Sequence, residues 1–251
     1  MFVENDDHID NLFNSLNINL SNFPEMNYLN YNLVITGSIG VGKSTICELL
    51  KRVLDQISIY NIICYPEYIN VDNGNALEML KNRINNKITP FDFQNYILNI
   101  WEKTFKLNKS KKNNKSISIF ERTPQDSVMC FGYIDKCNND LSQTEYNFLL
   151  KKCNNLYEKY YFPLFSSRNT RKSIIIKSYS TPINDIINKI LFIISRDIKR
   201  GIRNRIIFIY SDVFTSYNRI QDRSRSGEEK YSYQTLMKYH ERYVEIFNQN
   251  K

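Results

Sequence analysis

The fold is decided by one stretch of the chain, Tyr31-Asn-Leu-Val-Ile-Thr-Gly-Ser-Ile-Gly-Val-Gly-Lys-Ser-Thr45. Leu33 to Thr36 predicts a buried strand and Gly37 to Gly42 a turn. A helix is predicted from Ser44 onward, because apolar residues follow at helical spacing. In this strand–turn–helix setting the pattern G-x-x-x-x-G-K-[ST] forms a phosphate-binding loop. The sequence therefore predicts an α/β protein that binds a nucleotide.

The predicted loop offers backbone and side-chain groups to a triphosphate. Its glycines allow successive N–H groups and the following helix N-terminus to converge on one anion. Lys43 would reach the β and γ phosphates, and the Ser44 hydroxyl would ligate Mg²⁺. The ATP-binding residues predicted here are Gly37, Ser38, Ile39, Gly40, Val41, Gly42, Lys43, Ser44 and Thr45. The alternative is a glycine turn that matches by chance, but strand, spacing and helix all agree with the loop.

Charge and composition narrow the class of protein. The 251 residues include 34 Lys and Arg against 26 acidic residues, a net charge of +8. Such a surplus suits a protein that handles polyanions, but nucleotide phosphates also need cations, so a nucleic-acid partner is not implied. The five cysteines form no C-x-x-C pair and there are two histidines. We therefore expect free thiols and no structural zinc site.

The charge is unevenly distributed along the chain. Residues 1–30 carry five acidic side chains and no Lys or Arg. We interpret them as an acidic, Asn-rich N-terminal extension, followed by one domain over residues 31–251. The beginning of the chain lacks the basic and apolar runs of a signal peptide, and no apolar stretch is long enough to span a bilayer. We therefore expect a cytoplasmic protein without membrane contact.

Two further strands are predicted to end in acidic residues. The apolar run from Ile59 to Tyr65 leads to Glu67, and a second run, Ser116–Phe120, leads to Glu121 and Arg122. The carboxyl ends of parallel strands meet at the edge where open α/β sheets bind ligands. Glu67 is therefore a candidate general base, and the Glu121–Arg122 couple could hold Mg²⁺ and phosphoryl oxygens. A solvated loop acid and a structural ion pair are the respective alternatives.

The middle of the chain is predicted to be helical. Residues 74–107 have helical character with a break at Pro90. Gln94 could pair with the edge of a nucleobase, since its amide is both donor and acceptor, although a single helical glutamine is more often solvent-exposed. Six lysines follow in 103–115, which we interpret as a solvated loop, with a nucleic-acid patch as the alternative. Residues 126–162 predict two further helices.

The last third of the chain contains a basic segment and an arginine cluster. Residues 166–204 are basic, with a short strand-like run at 173–177 and a helix near 183–199. Ile206–Tyr210 predicts a strand, and the chain ends in an amphipathic helix from Tyr233 to Phe247. Between them lie three closely spaced arginines, Arg219, Arg223 and Arg225. Arginines so spaced suit a lid that closes over phosphates, whereas an isolated charge run is usually a solvated face.

These residues together resemble the deoxynucleoside kinase family, which includes thymidine kinases of the herpesvirus type. The residues that carry the resemblance are Gly37–Ser44, Glu67, Phe93-Gln94, Glu121-Arg122, Phe131 and Arg219–Glu229. The resemblance covers roughly residues 31–165 and 205–247. It implies a P-loop kinase fold, with a parallel sheet of about five strands flanked by helices and an arginine-rich lid. Residues 166–204 then look like an insertion.

The resemblance also implies catalytic and donor-binding roles. Glu67 would take the proton from the nucleoside 5′-hydroxyl, while Arg122 would bind near the 5′-oxygen and the transferred phosphoryl group. Glu121 would support Mg²⁺ together with Ser44. The lid arginines, which would hold the donor triphosphate, are Arg219, Arg223 and Arg225.

The acceptor-binding roles follow in the same way. Gln94 would pair with the base and Phe131 would stack on it, although core packing would be the default role of Phe131. Ser127 lies where family members restrict the base and is compatible with a thymine methyl group. Either Glu228 or Glu229 would reach the sugar 3′-hydroxyl. The order Pro66-Glu67 reverses the family's Glu-Pro, and no fifth strand follows the lid before the last residue.

We therefore expect an Mg²⁺-dependent kinase that uses ATP to phosphorylate a deoxynucleoside at its 5′-hydroxyl. The expected acceptor is a pyrimidine such as thymidine, and similar enzymes are commonly homodimers. A thymidylate-type nucleoside monophosphate kinase is the nearest alternative, because it shares the loop and the lid. A nucleotide-gated protein that binds nucleic acid without catalysis is the alternative from another class.

Overall fold

The computed structural model describes residues 4–21, 23–28, 30–57, 59–68, 74–110, 115–160, 174–223 and 231–249. A five-stranded parallel sheet forms the centre, in the order β2-β3-β1-β5-β4. Its strands are β1 (Asn30–Thr36), β2 (Asn61–Tyr65), β3 (Ser116–Glu121), β4 (Ile174–Lys177) and β5 (Asn204–Tyr210). The predicted fold class, a parallel sheet of about five strands, is confirmed.

Helices cover both faces of this sheet. They are α1 (Glu4–Asn14), α2 (Lys43–Asp55), α3 (Asn75–Ile84), α4 (Pro90–Ser110), α5 (Tyr133–Cys137), α6 (Gln143–Tyr160), α7 (Ile183–Lys199), α8 (Val213–Arg223) and α9 (Tyr233–Gln249). A π-helical segment, Asp126–Gly132, precedes α5. The predicted loop at 103–115 is wrong in its first part, because α4 continues to Ser110. No helix in the described ranges combines the length and hydropathy needed to cross a membrane.

Alternating side chains of the central strands point into two separate cores. Val34, Phe120 and Phe208 face one layer, with α4, α6 and α9 packed over them. Leu33, Ile119 and Ile207 face the other layer, which α2 and α7 cover. Parallel strands buried on both faces have near-continuous apolar sequences. Leu33 to Ile35 of β1 and Ile206 to Tyr210 of β5 follow this rule, whereas β3 alternates Ser and Ile although it is buried throughout. Both cores converge on β1 and so fix the strand that leads into the phosphate-binding loop.

The outer strand next to β5 comes from the segment that precedes β5 in the chain. Ile174 to Lys177 pair in parallel with Ile207 to Tyr210. After β4, α7 crosses back over the sheet with its isoleucine-rich face buried, and β5 then takes the place beside β1. The basic segment 166–204 therefore supplies, in its described part, the edge strand and a covering helix of this sheet.

The N-terminal segment contains a helix that composition did not predict. α1 packs on α2, and Ile9, Leu12 and Phe13 pack against the core that α2 shares with α7. An ion pair between Asp10 and Arg52 joins the two helices at the surface. The cysteines of the described chain form no disulfide, as expected.

Candidate active site

The phosphate-binding loop follows β1 and wraps closely against two neighbouring segments. Gly37 has φ of 146°, and a Cβ there would lie 2.2 Å from the Ile209 carbonyl oxygen. Gly40 has φ of 76°, and a Cβ there would lie 2.5 Å from the Ser216 carbonyl oxygen. A side chain at either position would collide with backbone in a conformation that L-residues rarely adopt. The loop conformation therefore requires these glycines.

Lys43 begins α2 and is buried within the loop. Its Nζ donates a hydrogen bond of 2.7 Å to the Ser38 carbonyl oxygen. Burial, together with the nearby Arg122 charge, lowers the pKa of Lys43 to about 8, while the charges of Glu67 and Glu121 oppose this shift. A buried cation at the start of a helix is positioned to bind the phosphates of a nucleotide.

Ser44 and Glu121 bring two oxygen atoms together beside Lys43. The Ser44 hydroxyl donates to Glu121 Oε1 at 2.7 Å, which joins the start of α2 to the end of β3. Burial raises the pKa of Glu121, and the neighbouring Glu67 charge adds to the rise. The negative charges of Glu67 and Glu121 repel each other. A cation bound between these two carboxylates and the phosphates of a nucleotide would relieve the repulsion. Hydroxyl and carboxylate oxygens are ligands of the kind that Mg²⁺ prefers.

Glu67 and Arg122 form an ion pair at the mouth of the loop. Arg122 Nε donates to Glu67 Oε1 at 2.7 Å, and a terminal nitrogen of the guanidinium donates to the Gly37 carbonyl oxygen at 2.9 Å. Arg122 has φ of 70°, a left-handed conformation that costs on the order of 1 kcal/mol in a residue with a side chain. The contacts of its guanidinium offset this strain.

A buried polar network holds Arg122 from behind. The Tyr243 hydroxyl donates to Asp126 Oδ1 at 2.7 Å and accepts a hydrogen bond from Arg122. Asp126 also accepts hydrogen bonds from the Thr36 hydroxyl and from the Thr123 backbone N–H and hydroxyl. Buried polar networks whose members are all paired are rigid. Arg122 is therefore held in one orientation by groups from β1, the π-helical segment and α9.

Two cavities meet at this ion pair. The larger, of about 500 Å³, contains the phosphate-binding loop, Lys43, Glu121 and Arg122. We call it the donor cavity. The smaller, of about 160 Å³, lies under α3, α4 and α9, and we call it the acceptor pocket. Ile39 and Glu67 line both, so any group passed from one cavity to the other would pass beside Glu67.

The acceptor pocket combines aromatic walls with a polar end. Its aromatic side chains are Tyr68, Phe93, Phe131, Tyr231 and Tyr239. At the polar end Arg83 donates to Asp135 at 3.1 Å, and Gln94 is buried beside them. Burial raises the pKa of Asp135, while Arg83 and a hydrogen bond from Gln94 oppose the rise. An apolar slot with a few oriented polar groups is the usual form of a small-molecule site.

The structure brings most of the sequence-predicted site residues together. Lys43, Glu67, Glu121, Arg122 and Arg219 line the donor cavity, as do the loop residues Ile39 to Thr45. Gln94 and Phe131 line the acceptor pocket, where Phe131 also lies 5.1 Å from the Arg122 guanidinium.

Other predicted residues stand apart. Ser127 is buried in the π-helical segment and is not among the residues that line either cavity. The side chain of Arg223, together with Arg225, Glu228 and Glu229, lies outside the described residues. Their predicted lid and sugar-binding roles remain predictions.

Several site residues were missed by reasoning from sequence. Asp126 and Tyr243 support Arg122, and the pair Arg83–Asp135 closes the acceptor pocket. The sequence indicates Asp126 only weakly, as an acidic residue four positions after Arg122 that could pair with it. Tyr243 gave no signal, because a tyrosine on the apolar face of a C-terminal helix has the pattern of a core residue.

The fold and the paired cavities define a P-loop enzyme of phosphoryl transfer. A family model described as "Deoxynucleoside kinase" matches residues 33–165, more than half of the chain. The chain therefore belongs to the deoxynucleoside kinase family. No curated protein matches it significantly in sequence.

Solved structures of deoxyadenosine kinase from M. mycoides share the fold. The complex with bound dCTP has 20% sequence identity and a TM-score of 0.52, over 87% of this chain and 84% of that one. The complex with the products dCMP and a flexible dCDP has 21% identity and a TM-score of 0.53, over 87% and 84%. The complex with bound dATP has 21% identity and a TM-score of 0.53, over 87% and 85%. Identities this low support the fold and not the substrate.

Proposed function

We propose that this chain transfers the γ-phosphoryl group of ATP to the 5′-hydroxyl of a deoxynucleoside, with a pyrimidine as the preferred base. The observation that carries the proposal is the meeting of a phosphate-binding cavity and an aromatic pocket at Glu67. Phosphoryl transfer depends on positioning and on positive charge more than on covalent chemistry by the protein. This junction supplies both.

The residues at the junction divide the reaction between them. Glu67 accepts the proton of the 5′-hydroxyl as the new O–P bond forms, and the bond from the γ-phosphorus to the bridging oxygen breaks to release ADP. The Arg122 guanidinium favours the ionised form of Glu67 before the reaction. Lys43 and Arg122 bind the phosphoryl oxygens as negative charge develops on them. The products are the deoxynucleoside 5′-monophosphate and ADP.

The donor side fits a magnesium–nucleotide complex. Ser44 and Glu121 present two adjacent oxygen ligands, and Mg²⁺ is commonly held by one or two carboxylates with substrate phosphates. When bound, the metal would neutralise charge on the β and γ phosphates. In the described chain the Ser38 hydroxyl is buried and has no hydrogen-bond partner within the protein. A buried hydroxyl normally has such a partner, and a phosphate oxygen could supply it. Arg219 lies at the cavity wall, and we assign Arg223 and Arg225 to the same triphosphate.

The acceptor side fits a nucleoside better than a nucleotide. In the acceptor pocket, Gln94 would pair with the base and Phe131 would stack on it. An acceptor that already carried a phosphate would bring a dianion close to Glu67, which disfavours a monophosphate kinase. The small pocket favours a pyrimidine ring over a purine. The M. mycoides structures carry cytosine and adenine nucleotides, so both base classes belong in the assay.

The test is a phosphoryl-transfer assay with ATP and Mg²⁺ and four deoxynucleosides, with thymidine monophosphate as a fifth acceptor. The expected result is conversion of a pyrimidine deoxynucleoside to its 5′-monophosphate and no conversion of thymidine monophosphate. Preferential conversion of the monophosphate would establish the thymidylate-type alternative. No conversion of any acceptor would refute the proposed function.

A further inference from the structure

The donor cavity extends well beyond the groups that would hold a triphosphate. Besides the phosphate-binding loop and its neighbours, two further segments of the chain line the cavity, α1 and the beginning of α7 with the residues before it. We call the part lined by His8, Leu12, Thr181, Ile183 and Ile186 the far end. None of them is Lys, Arg, Asp or Glu. The far end is therefore suited to a neutral group with apolar faces and polar edges, and not to phosphate.

The N-terminal helix contributes no Lys or Arg to the cavity wall. α1 carries Asp7 and Asp10 on either side of His8, and neither acid is among the cavity residues. A triphosphate is therefore expected beside Lys43, Arg122 and Arg219, the cations that line the cavity, while Asp10 is paired with Arg52. A nucleotide in this cavity would then direct its base toward α1. The volume of about 500 Å³ falls within the range of pockets that hold a molecule of that size.

Both walls of the far end are fixed by contacts inside the protein. On one side α1 packs through Ile9 and Phe13 onto the core shared with α2, and Asp10 pairs with Arg52. On the other side the Ser178 hydroxyl donates to the Val41 carbonyl oxygen at 2.9 Å, which ties the end of β4 to the phosphate-binding loop. The space between α1 and the start of α7 is therefore set before a ligand enters.

We propose that α1 forms one wall of the donor-nucleotide site, where His8 and Leu12 hold the base of the triphosphate against Ile183 and Ile186. This inference rests on the proposed function, because it assigns the donor cavity to ATP. Leu12 supplies apolar contact to one face of the base. The exposed His8 imidazole supplies a flat polar ring that can stack on the base or hydrogen-bond to its edge.

Calorimetric binding tests the proposal without needing turnover. ATP and inorganic tripolyphosphate, which lacks base and sugar, are titrated with Mg²⁺ into the full chain and into its His8→Ala and Leu12→Ala variants. We expect the Kd of ATP to rise about five- to tenfold in each variant, the loss of one apolar or stacking contact, with the Kd of tripolyphosphate unchanged. Asn11→Ala is the matched control, because this exposed neighbour on α1 does not line the cavity.

Two outcomes would overturn the proposal. If both variants bind ATP as tightly as the unaltered chain, α1 does not contact the base. If ATP and tripolyphosphate weaken together, α1 acts only through the stability of the fold. His8 is exposed, so its truncation leaves the core intact and keeps the test decisive if Leu12→Ala folds poorly. Failure to phosphorylate any deoxynucleoside would refute the proposed function but leave these binding results valid.

Discussion

The donor cavity and the acceptor pocket meet at Glu67 but are built in different ways. The phosphate-binding part of the donor cavity is one continuous stretch whose glycines let its backbone pack closely against β5 and α8. The acceptor pocket is assembled from side chains of α3, α4, α5 and α9, and an ion pair and a buried amide close its polar end. The comparison teaches that changes on the donor side should act locally, whereas the acceptor side depends on contacts between distant parts of the chain.

The largest effect is expected from Lys43→Ala, which removes the buried cation of the phosphate-binding loop. Turnover should fall about 10³-fold and ATP affinity should drop, because the phosphoryl oxygens lose a preorganised charge. Deoxynucleoside affinity should be unchanged, since Lys43 lies outside the acceptor pocket. Steady-state kinetics with calorimetry for each substrate measures this. Lys51→Ala, on the exposed side of the same helix, is the control. An equal loss of both affinities would show that the cavities are not separable.

A smaller effect on turnover is expected from Tyr243→Phe, which breaks the network behind Arg122. Asp126 and Arg122 each lose a hydrogen bond, and we expect turnover to fall about tenfold and stability to fall by about 1.5 kcal/mol. Kinetics and urea unfolding measure the two effects, and Tyr146→Phe, another buried tyrosine, is the control. A loss of stability without any loss of turnover would mean that the network does not position Arg122.

Gln94→Ala tests the acceptor pocket alone. Loss of the buried amide should raise the KM for the deoxynucleoside about tenfold and reduce discrimination between bases, while the KM for ATP stays the same. The check is a kinetic comparison of four deoxynucleosides. Asn95→Ala is the matched control, because the neighbouring amide is directed to Lys152 instead. Equal changes in both KM values would count against a base-reading role for Gln94.

The smallest effect concerns the support of the loop by α9. His240 Nε2 lies 3.3 Å from the hydroxyl of Ser216, a residue whose carbonyl packs against Gly40. Burial lowers the pKa of His240, and Lys43 adds to the lowering while Asp212 opposes it. The unfolded chain therefore takes up the proton first as the pH falls below about 6.5, so stability decreases with falling pH, by at most about 1.4 kcal/mol per unit.

His240→Gln should remove that part of the pH dependence. Urea unfolding at about pH 7 and about pH 5.5 measures it, and the variant should lose less stability than the unaltered chain over this interval. Identical pH dependence in both proteins would show that His240 is protonated to the same extent in the folded and unfolded states.

The same contrast explains how much could be predicted from sequence. The loop, β1 and α2 follow from local pattern, because glycine spacing and helical periodicity act over a few residues. The strand-end acids Glu67 and Glu121 could also be placed, since parallel strands deliver their carboxyl ends to one edge.

Features that depend on long-range contacts could not be predicted. The Asn-rich composition of residues 1–30 concealed the apolar face of α1, which is stable only against α2. Nothing local indicated that β4 would pair outside β5, or that Tyr243 would reach Asp126 across 117 residues. Ser127 is buried in the π-helical segment and is not among the residues that line either cavity, and its effect on base choice stays a prediction.

The most direct test of the account is Glu67→Gln, measured as turnover and as separate Kd values for ATP and the deoxynucleoside. The amide keeps the size of the side chain and a hydrogen bond to Arg122, but it cannot take the hydroxyl proton. The account predicts that turnover falls at least about 10²-fold while both Kd values change less than about threefold. Unchanged turnover would contradict the assignment of the junction between the two cavities as the reaction centre.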